Sequence, residues 1–341
     1  MIYDYSDILI CPKNAEADIR NVIDKILEKI LFDFPNLDKA IAVLLGGGFG
    51  RGEGSVMQKR GTFVTTNDYD IVMICEDDVQ KIKIKELEKN IAKNLHLNFF
   101  GIDIITLSYF RKIIDKKLVS QSFYDLLNGS KVLWINETKK DMNIIDCLKN
   151  HTIRMHDIHI HSAFDVLKTR MWCIIALYDL QENKFFDKQY FGSFERFYFQ
   201  QVKLATAIVD AVLISDRLYD SPCFTRKLEI FKKSKFYQIN ECYIINNLIE
   251  RKIYNKNIIE LTIEDRNLLI KLYCNCVEYV ISNHKLLYFV YALKNRVKKI
   301  YFKYFRKDKN CGWYLDDYRF LKNNNQKKLN ELQRKMRGIY E

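Results

Sequence analysis

The sequence predicts an α+β chain, with a small mixed sheet and flanking helices over residues 1–150 and an all-α helical bundle over residues 151–341. Three observations carry this. Between Ala40 and Ile74 an apolar run, a cluster of glycines and a second apolar run bearing two aspartates follow one another. Beyond the stretch 141–150 almost only helical periodicity remains. The charge changes at the same place. The first 150 residues hold 21 Lys/Arg and 22 Asp/Glu, and the remainder holds 34 and 21, so a net charge near −1 is followed by one of +13. The second part is the one suited to meet something anionic.

Composition narrows the class. At 341 residues the chain is long enough for two domains with sizeable cores, and its 48% apolar content is that of a globular protein. Met1 to Ile10 carries Asp4 and Asp7 and no basic n-region, so no signal peptide is expected. No apolar run approaches the ~20 residues of a membrane span. A cytoplasmic location is therefore expected. Nine cysteines, an odd count, are scattered through apolar segments and read as reduced, buried thiols. Cys274 and Cys276 stand two apart with no second Cys/His pair at zinc-finger spacing.

Ala15 to Phe32 is predicted as an amphipathic helix. Ile19, Val22, Ile23, Ile26, Leu27 and Ile30 recur at helical spacing, Asn14 is a candidate N-cap, and Pro35-Asn36 ends it. Ala40 to Leu45 is a buried strand. Gly46, Gly47, Gly48, Gly50, Gly52 and Gly54 follow, six of the chain's twelve glycines within nine residues. Such a turn brings backbone N–H groups inward as a nest for a phosphate. Residues 55–67 are basic and polar, and read either as a loop or hairpin over that nest or as a surface insertion without a role. Asp68-Tyr69-Asp70 opens the next strand, Ile71 to Ile74. Residues two apart in a strand point to one face, so Asp68 and Asp70 are expected side by side near the glycine turn. Adjacent carboxylates repel unless a cation lies between them, and hard oxygen ligands suit Mg²⁺.

Asp77 to Leu95 reads as a surface helix, and Asn98 to Leu107 as a strand carrying Asp103. An acid inside an apolar strand is expensive to bury unless paired or metal-bound. The alternative is an edge-strand carboxylate facing water. Ser108 to Asn128 is helical, and Gly129 turns into a short strand. Ser130 and Lys131 offer two donors and a cation to a nucleotide, or else form a plain tight turn with Lys131 in solvent.

No Gly-Lys-Ser/Thr closes the glycine run, which excludes a Walker loop, and no register supplies glycines at relative positions 1, 3 and 6. The order Gly47-Gly48, Asp68-x-Asp70, then Asp103 on a later strand resembles the DNA polymerase β-like nucleotidyltransferase superfamily. The run Gly47 to Glu53 is similar to the glycine loop of bacterial PII uridylyltransferases. The spacing departs from that pattern, because Ser55 to Asn67 lengthens the gap between loop and acids. The resemblance spans residues 40–133 and implies a polymerase β-like catalytic core. It implies transfer of NMP from an NTP, with two Mg²⁺ (or Mn²⁺) held by Asp68, Asp70 and Asp103. It further implies nucleotide binding by Gly47, Gly48 and the following backbone through Gly50. Arg51 either neutralises the pyrophosphate or pairs with Glu53. The acceptor, whether protein, RNA or small molecule, is not written in the sequence. Two other classes remain open: a non-catalytic or antitoxin-like regulator with a HEPN-type partner, and a nucleic-acid-binding module.

In the second part, helical segments are expected near 153–182, 187–217, 224–235, 240–254, 263–283 and 285–306, with a break at Ser221-Pro222. Four of six histidines lie between His151 and His161, and Arg154 with His159 has the Arg-x4-His form of HEPN-type ribonucleases. Helical spacing puts only some of these histidines on one face, as a metal site would need, and so short a form arises by chance, so a domain junction or polar residues facing the active cleft is the preferred reading. Lys285 to Lys309 holds nine Lys/Arg, one Asp and seven Tyr/Phe. It reads either as a bundle helix with solvated lysines or as a surface for nucleic acid, anionic lipid or an acidic protein. Lys298, Lys299, Lys303 and Arg306 are its candidate contacts for an anionic acceptor.

Overall fold

The computed structural model describes residues 5–59, 62–65, 68–97, 100–116, 119–142, 153–175, 178–179, 184–185, 194–254, 261–301, 315–323, 327–328 and 331–332. The chain divides into two compact units. The first comprises residues 1–158 with 220–225 and 252–256, and the second comprises the rest.

The first unit is α+β. A short strand β1 (Leu9–Cys11) leads through a 3-10 turn into helix α1 (Glu16–Asp33). Asn14 lies inside that turn, so the helix starts without the side-chain cap expected of it. Strand β2 (Ala40–Leu45) is followed by one helical turn, α2 (Gly47–Gly50), and the hairpin β3 (Gly54–Lys59) and β4 (Thr62–Thr65). The lengthened gap between glycines and acids is thus largely this hairpin, whose β3 also pairs in parallel with β1. Strand β5 (Tyr69–Cys75), helix α3 (Lys81–Asn94) and strand β6 (Phe100–Thr106) make a parallel crossover. Helices α4 (Leu107–Lys116) and α5 (Gln121–Gly129) replace the one helix expected over 108–128. Ser120 caps the second, its hydroxyl accepting from Phe123 N–H at 3.2 Å. Strand β7 (Lys131–Ile135) closes the mixed sheet, whose order is β6-β5-β2-β7.

The central strand β2 is buried at all six positions because neighbours flank both its edges and layers cover both its faces. Ile19, Ile23, Ile26 and Ile30 of α1, with Ile84, Leu87 and Ile91 of α3, pack against Val43, Leu45, Ile71 and Met73. Each fully buried side chain of this kind contributes ~1.5–3 kcal/mol relative to exposure. The edge strand β6 is covered by Glu88 of α3, whose Oε1 accepts from Ile102 N–H at 2.8 Å. That bond occupies an edge donor that would otherwise invite another strand.

The second unit is predominantly helical. Its longer helices are α6 (His161–Arg170), α8 (Phe194–Ser215), α12 (Ile263–Asn283) and α13 (Lys285–Tyr301). Shorter ones are α7 (Trp172–Ile175), α9 (Phe224–Phe231), α10 (Lys235–Ile239), α11 (Tyr243–Ile253) and α14 (Tyr318–Lys322). The single helix expected over 153–182 is not formed. A 3-10 turn at Met155–Asp157 precedes α6, and Tyr178–Asp179 pairs with Lys184–Phe185 as a short hairpin. Helix α6 packs on α8 and α12, and Tyr273 donates to the Leu167 carbonyl at 2.9 Å across that contact. Cys173, Cys242, Cys274 and Cys276 are buried here, and burial pushes the Cys274 thiol up to about 12. Among the described residues no helix is long and apolar enough to cross a membrane. His151, Lys303, Arg306 and the stretch 143–150 where the domain boundary was expected lie outside the described residues, as do the side chains of Lys298 and Lys299.

Candidate functional site

The glycine turn grows directly out of the sheet. Beyond Leu45 the chain is tied to β5 by Gly46 N–H, which donates to the Asp70 carbonyl at 2.8 Å. Gly47 then takes φ +59°, the left-handed region open to glycine, and a Cβ at this position would overlap Asp70 Oδ2. The turn's own bonds begin with Gly50 N–H to Gly46 O at 2.9 Å, followed by Arg51 N–H to Gly47 O at 3.2 Å. The N–H groups of Gly47, Gly48 and Phe49 precede the first of these bonds, as the leading amides of a helical turn do.

Asp70 and Asp103 share one face of the sheet. In the parallel pairing of β5 and β6, Asp70 stands opposite Gly101 and Val72 opposite Asp103. Partners across a ladder point the same way, as do residues two apart. The two aspartates are therefore diagonal neighbours, about 8 Å apart between Cα atoms from strand spacing and rise. Both are exposed, whereas Tyr69, between Asp68 and Asp70, turns into the core. Its ring stacks on Phe49 with centroids 5.1 Å apart, and burial pushes its phenol up to about 12. Asp68 is half-buried just before β5, so the alternation that aims Asp70 does not extend to it. Among the described residues no three His, Cys, Asp or Glu side chains converge as they stand to hold a metal ion.

Asp103 was expected to be costly to bury, but β6 is an edge strand and Asp103 faces solvent. Its link to Asp70 rests on register and not on desolvation.

The remaining candidates separate into two groups. Gly50 is buried, and a Cβ there would overlap the Leu45 carbonyl and stand 2.8 Å from the Gly129 carbonyl. Close packing alone accounts for that glycine. Arg51 is turned inward. Its Nε lies 3.5 Å from Glu53 Oε2, and its guanidinium sits 4.9 Å from the centre of the Phe224 ring. Ser130 ends α5, its N–H donating to Leu126 O at 3.1 Å. Lys131 pairs with Leu45 at the glycine end of β2, and by register shares the face of Leu45 and Ile71, opposite to that of Asp70.

Residues 220–225, which sequence reasoning did not attach to this site, hold the glycine turn from outside. The buried Glu53 accepts at Oε1 from the Thr225 N–H (3.1 Å) and hydroxyl (3.3 Å). Cys223 Sγ donates to the Arg51 carbonyl at 3.7 Å, and Tyr124 of α5 donates to the Asp220 carbonyl at 3.0 Å. The available signals were two: a carboxylate set among glycines, which needs a partner if buried, and the Ser221-Pro222 break.

No protein-family model and no curated protein matches the chain. Among solved structures it is similar to a toxin–antitoxin crystallised with AMP-PNP, at 19% identity and a TM-score of 0.24, over 38% of this chain and 85% of that one. It is also similar to a mutant of the toxin–antitoxin MntA-HpeT, at 16% identity and a TM-score of 0.23, over 38% and 85%.

Proposed function

We propose that this protein is a metal-dependent nucleotidyltransferase, which moves NMP from an NTP to an acceptor hydroxyl and releases pyrophosphate. The catalytic part is assigned to residues 1–150, and the helical part, 151–341, carries the net positive charge suited to an anionic acceptor. The observation that carries the reading is the position of Asp70. Its carboxylate lies against Gly47 in the turn and occupies the sheet face that also bears Asp103. Phosphates seated on the amides of Gly47, Gly48 and Phe49 would meet these carboxylates at once.

The donors suit the ions that the resemblance implies. Asp68, Asp70 and Asp103 offer hard carboxylate oxygens, and the two exposed ones need no desolvation to take a hydrated ion. Two Mg²⁺ or Mn²⁺ held by these residues would neutralise the triphosphate and polarise the α-phosphorus. The chain's own part is orientation. The glycine amides hold the β- and γ-phosphates, and Asp103 faces the acceptor and takes its proton. An oxygen–phosphorus bond forms to the acceptor as the bond to pyrophosphate breaks. Arg51, already facing Glu53, shapes the turn. Ser130 ends α5 and Lys131 lies on the face opposite Asp70, so neither takes part in the proposed transfer.

Incubation with each labelled NTP, Mg²⁺ or Mn²⁺ and a lysate of the source cell tests this directly. Label should pass from one NTP to one acceptor. Asp70→Asn should abolish transfer while leaving the thermal midpoint in metal-free buffer equal or higher, because it removes repulsion between carboxylates. Ordinary turnover by Asp70→Asn would show the assignment to be wrong. Binding of NTP with no labelled product would favour the regulator. Salt-dependent RNA or DNA binding that survives loss of Asp68 and Asp70 would favour the nucleic-acid module.

A further inference from the structure

Helix α13 carries two apolar stripes. The inner one seats it on α6. Tyr291, 6% exposed, donates to Asp165 Oδ1 at 2.7 Å, and the rings of Tyr288 and Tyr291 lie 5.2 and 5.1 Å from that of Phe164. The outer stripe is formed by Leu286, Phe289, Val290 and Leu293, which are 76%, 65%, 47% and 53% exposed. Their spacing, i, i+3, i+4 and i+7, places them on one side of the helix, within about two turns. An inner stripe is what a bundle helix needs. A second one, facing solvent, keeps apolar area in water at ~25 cal/mol per Å².

The charges beside the stripe specify what fits it. At 100° per residue, Lys285 and Arg296 fall along one shoulder of the stripe and Lys294 along the other, and all three are exposed. From Lys285 to Tyr301 the sequence contains five Lys/Arg and no Asp or Glu. A second copy of this helix laid on the same stripe would bring cations against cations. A helix with a matching apolar stripe edged by carboxylates would bury the four side chains and meet both basic shoulders. This is the anchor pattern by which one amphipathic helix is read by another.

We propose that the outer face of α13 is a docking surface for a partner protein, which presents an amphipathic helix with an apolar stripe edged by Asp and Glu. The surface belongs to the second unit, and the proposal does not depend on the nucleotidyltransferase reading.

The test uses the full chain and two labelled helical peptides with identical leucine stripes, one edged by Glu and one by Lys. Fluorescence anisotropy should show the Glu-edged peptide binding at least tenfold more tightly, with an affinity that weakens as salt is added. Phe289→Ser with Leu293→Ser should reduce that binding about tenfold or more, which corresponds to ~1.4 kcal/mol. The folded state should not change, because both side chains lie outside the packed stripe. Lys285→Glu with Lys294→Glu should reverse the preference toward the Lys-edged peptide, a result that general stickiness would not give. Equal affinity for the two peptides, or binding of neither, would overturn the proposal. So would sedimentation with phosphatidylserine vesicles that is lost in Phe289→Ser/Leu293→Ser while neither peptide binds, which would assign the stripe to a membrane surface. Concentration-dependent dimerisation abolished by the same pair would assign it to a second copy and overturn the proposal equally.

Discussion

Gly47 and Asp70 are shaped to one another. The left-handed φ of Gly47 and the carboxylate lying where its Cβ would stand are two separate reasons for glycine at this position. Gly47→Ala should therefore destabilise the chain by about 1–3 kcal/mol and weaken NTP binding. Asp70→Ala removes the atoms that a Cβ would strike, so the double mutant should be more stable than the sum of the single effects predicts. Additive effects in that cycle, read by denaturant unfolding, would mean that the two residues do not touch. A second residue-scale expectation concerns His159 and His161, whose rings are 4.1 Å apart. Burial depresses both pKa values. The charge of the neighbouring His161, with Arg217 and Lys294, adds to this at His159, while Asp165 opposes it at both. The His161 N–H donates to His159 Nδ1 at 3.1 Å, which requires a neutral acceptor nitrogen. Because the folded pKa values lie below the unfolded value near 6.5, the unfolded chain takes up protons first as pH falls. The stability due to this pair is complete above about pH 6.5 and is lost progressively below it. Thermal midpoints taken downward from about pH 8 should fall less steeply in His159→Gln/His161→Gln than in the wild type. Parallel curves would show that the pair titrates normally.

At the scale of elements, what could be read from the sequence was local and what could not was long-range. Helix α1 was legible from isoleucine and leucine at helical spacing, β2 from an unbroken apolar run, and the turn after it from the glycines. Strand alternation predicted Asp68 beside Asp70, but Asp68 lies just before β5. That Asp70 and Asp103 share a face comes from the β5–β6 register, and the exposure of Asp103 from β6 being an edge strand, neither of which a strand's own residues define. The short β1 has too few residues to show a period. The stretch 153–182 is apolar enough to read as helix, yet it divides into a turn, two helices and the start of a hairpin. The seam between Glu53 and Thr225 was the least accessible, since its partners stand 172 residues apart and no sequence period spans that distance. Thr225→Ala removes the hydroxyl donor to a buried carboxylate, a loss of about 1–3 kcal/mol. If this seam sets the glycine turn, NTP affinity should weaken several-fold with little change in metal binding by the aspartates, and Thr225→Ser should restore it. A lowered thermal midpoint with unchanged NTP affinity would make the seam structural only.

For the whole molecule, the division of the chain matters more than the break in charge near residue 150. The first compact unit is not a continuous segment, because it takes residues 220–225 and 252–256 from the helical half of the sequence. The first piece is in contact with the glycine turn, and Lys252 of the second with the first: Thr225 bonds Glu53, Phe224 lies beneath Arg51, and Lys252 Nζ stands 4.9 Å from the Phe224 ring. A fragment ending at Ile158 would retain the whole sheet and all three aspartates. It would lack the donors to Glu53, a carboxylate only 5% exposed in the chain. An acid buried with both of these donors removed either draws in water or forces the turn open, and both disturb the amides proposed to hold phosphate. Residues 1–158 expressed alone should therefore melt below the full chain and bind NTP more weakly, while still binding Mn²⁺ through the aspartates. Titration of fragment and full chain with the same NTP measures the difference. Equal affinities would show that the turn is set by the sheet alone and that the inserted pieces are dispensable for nucleotide binding.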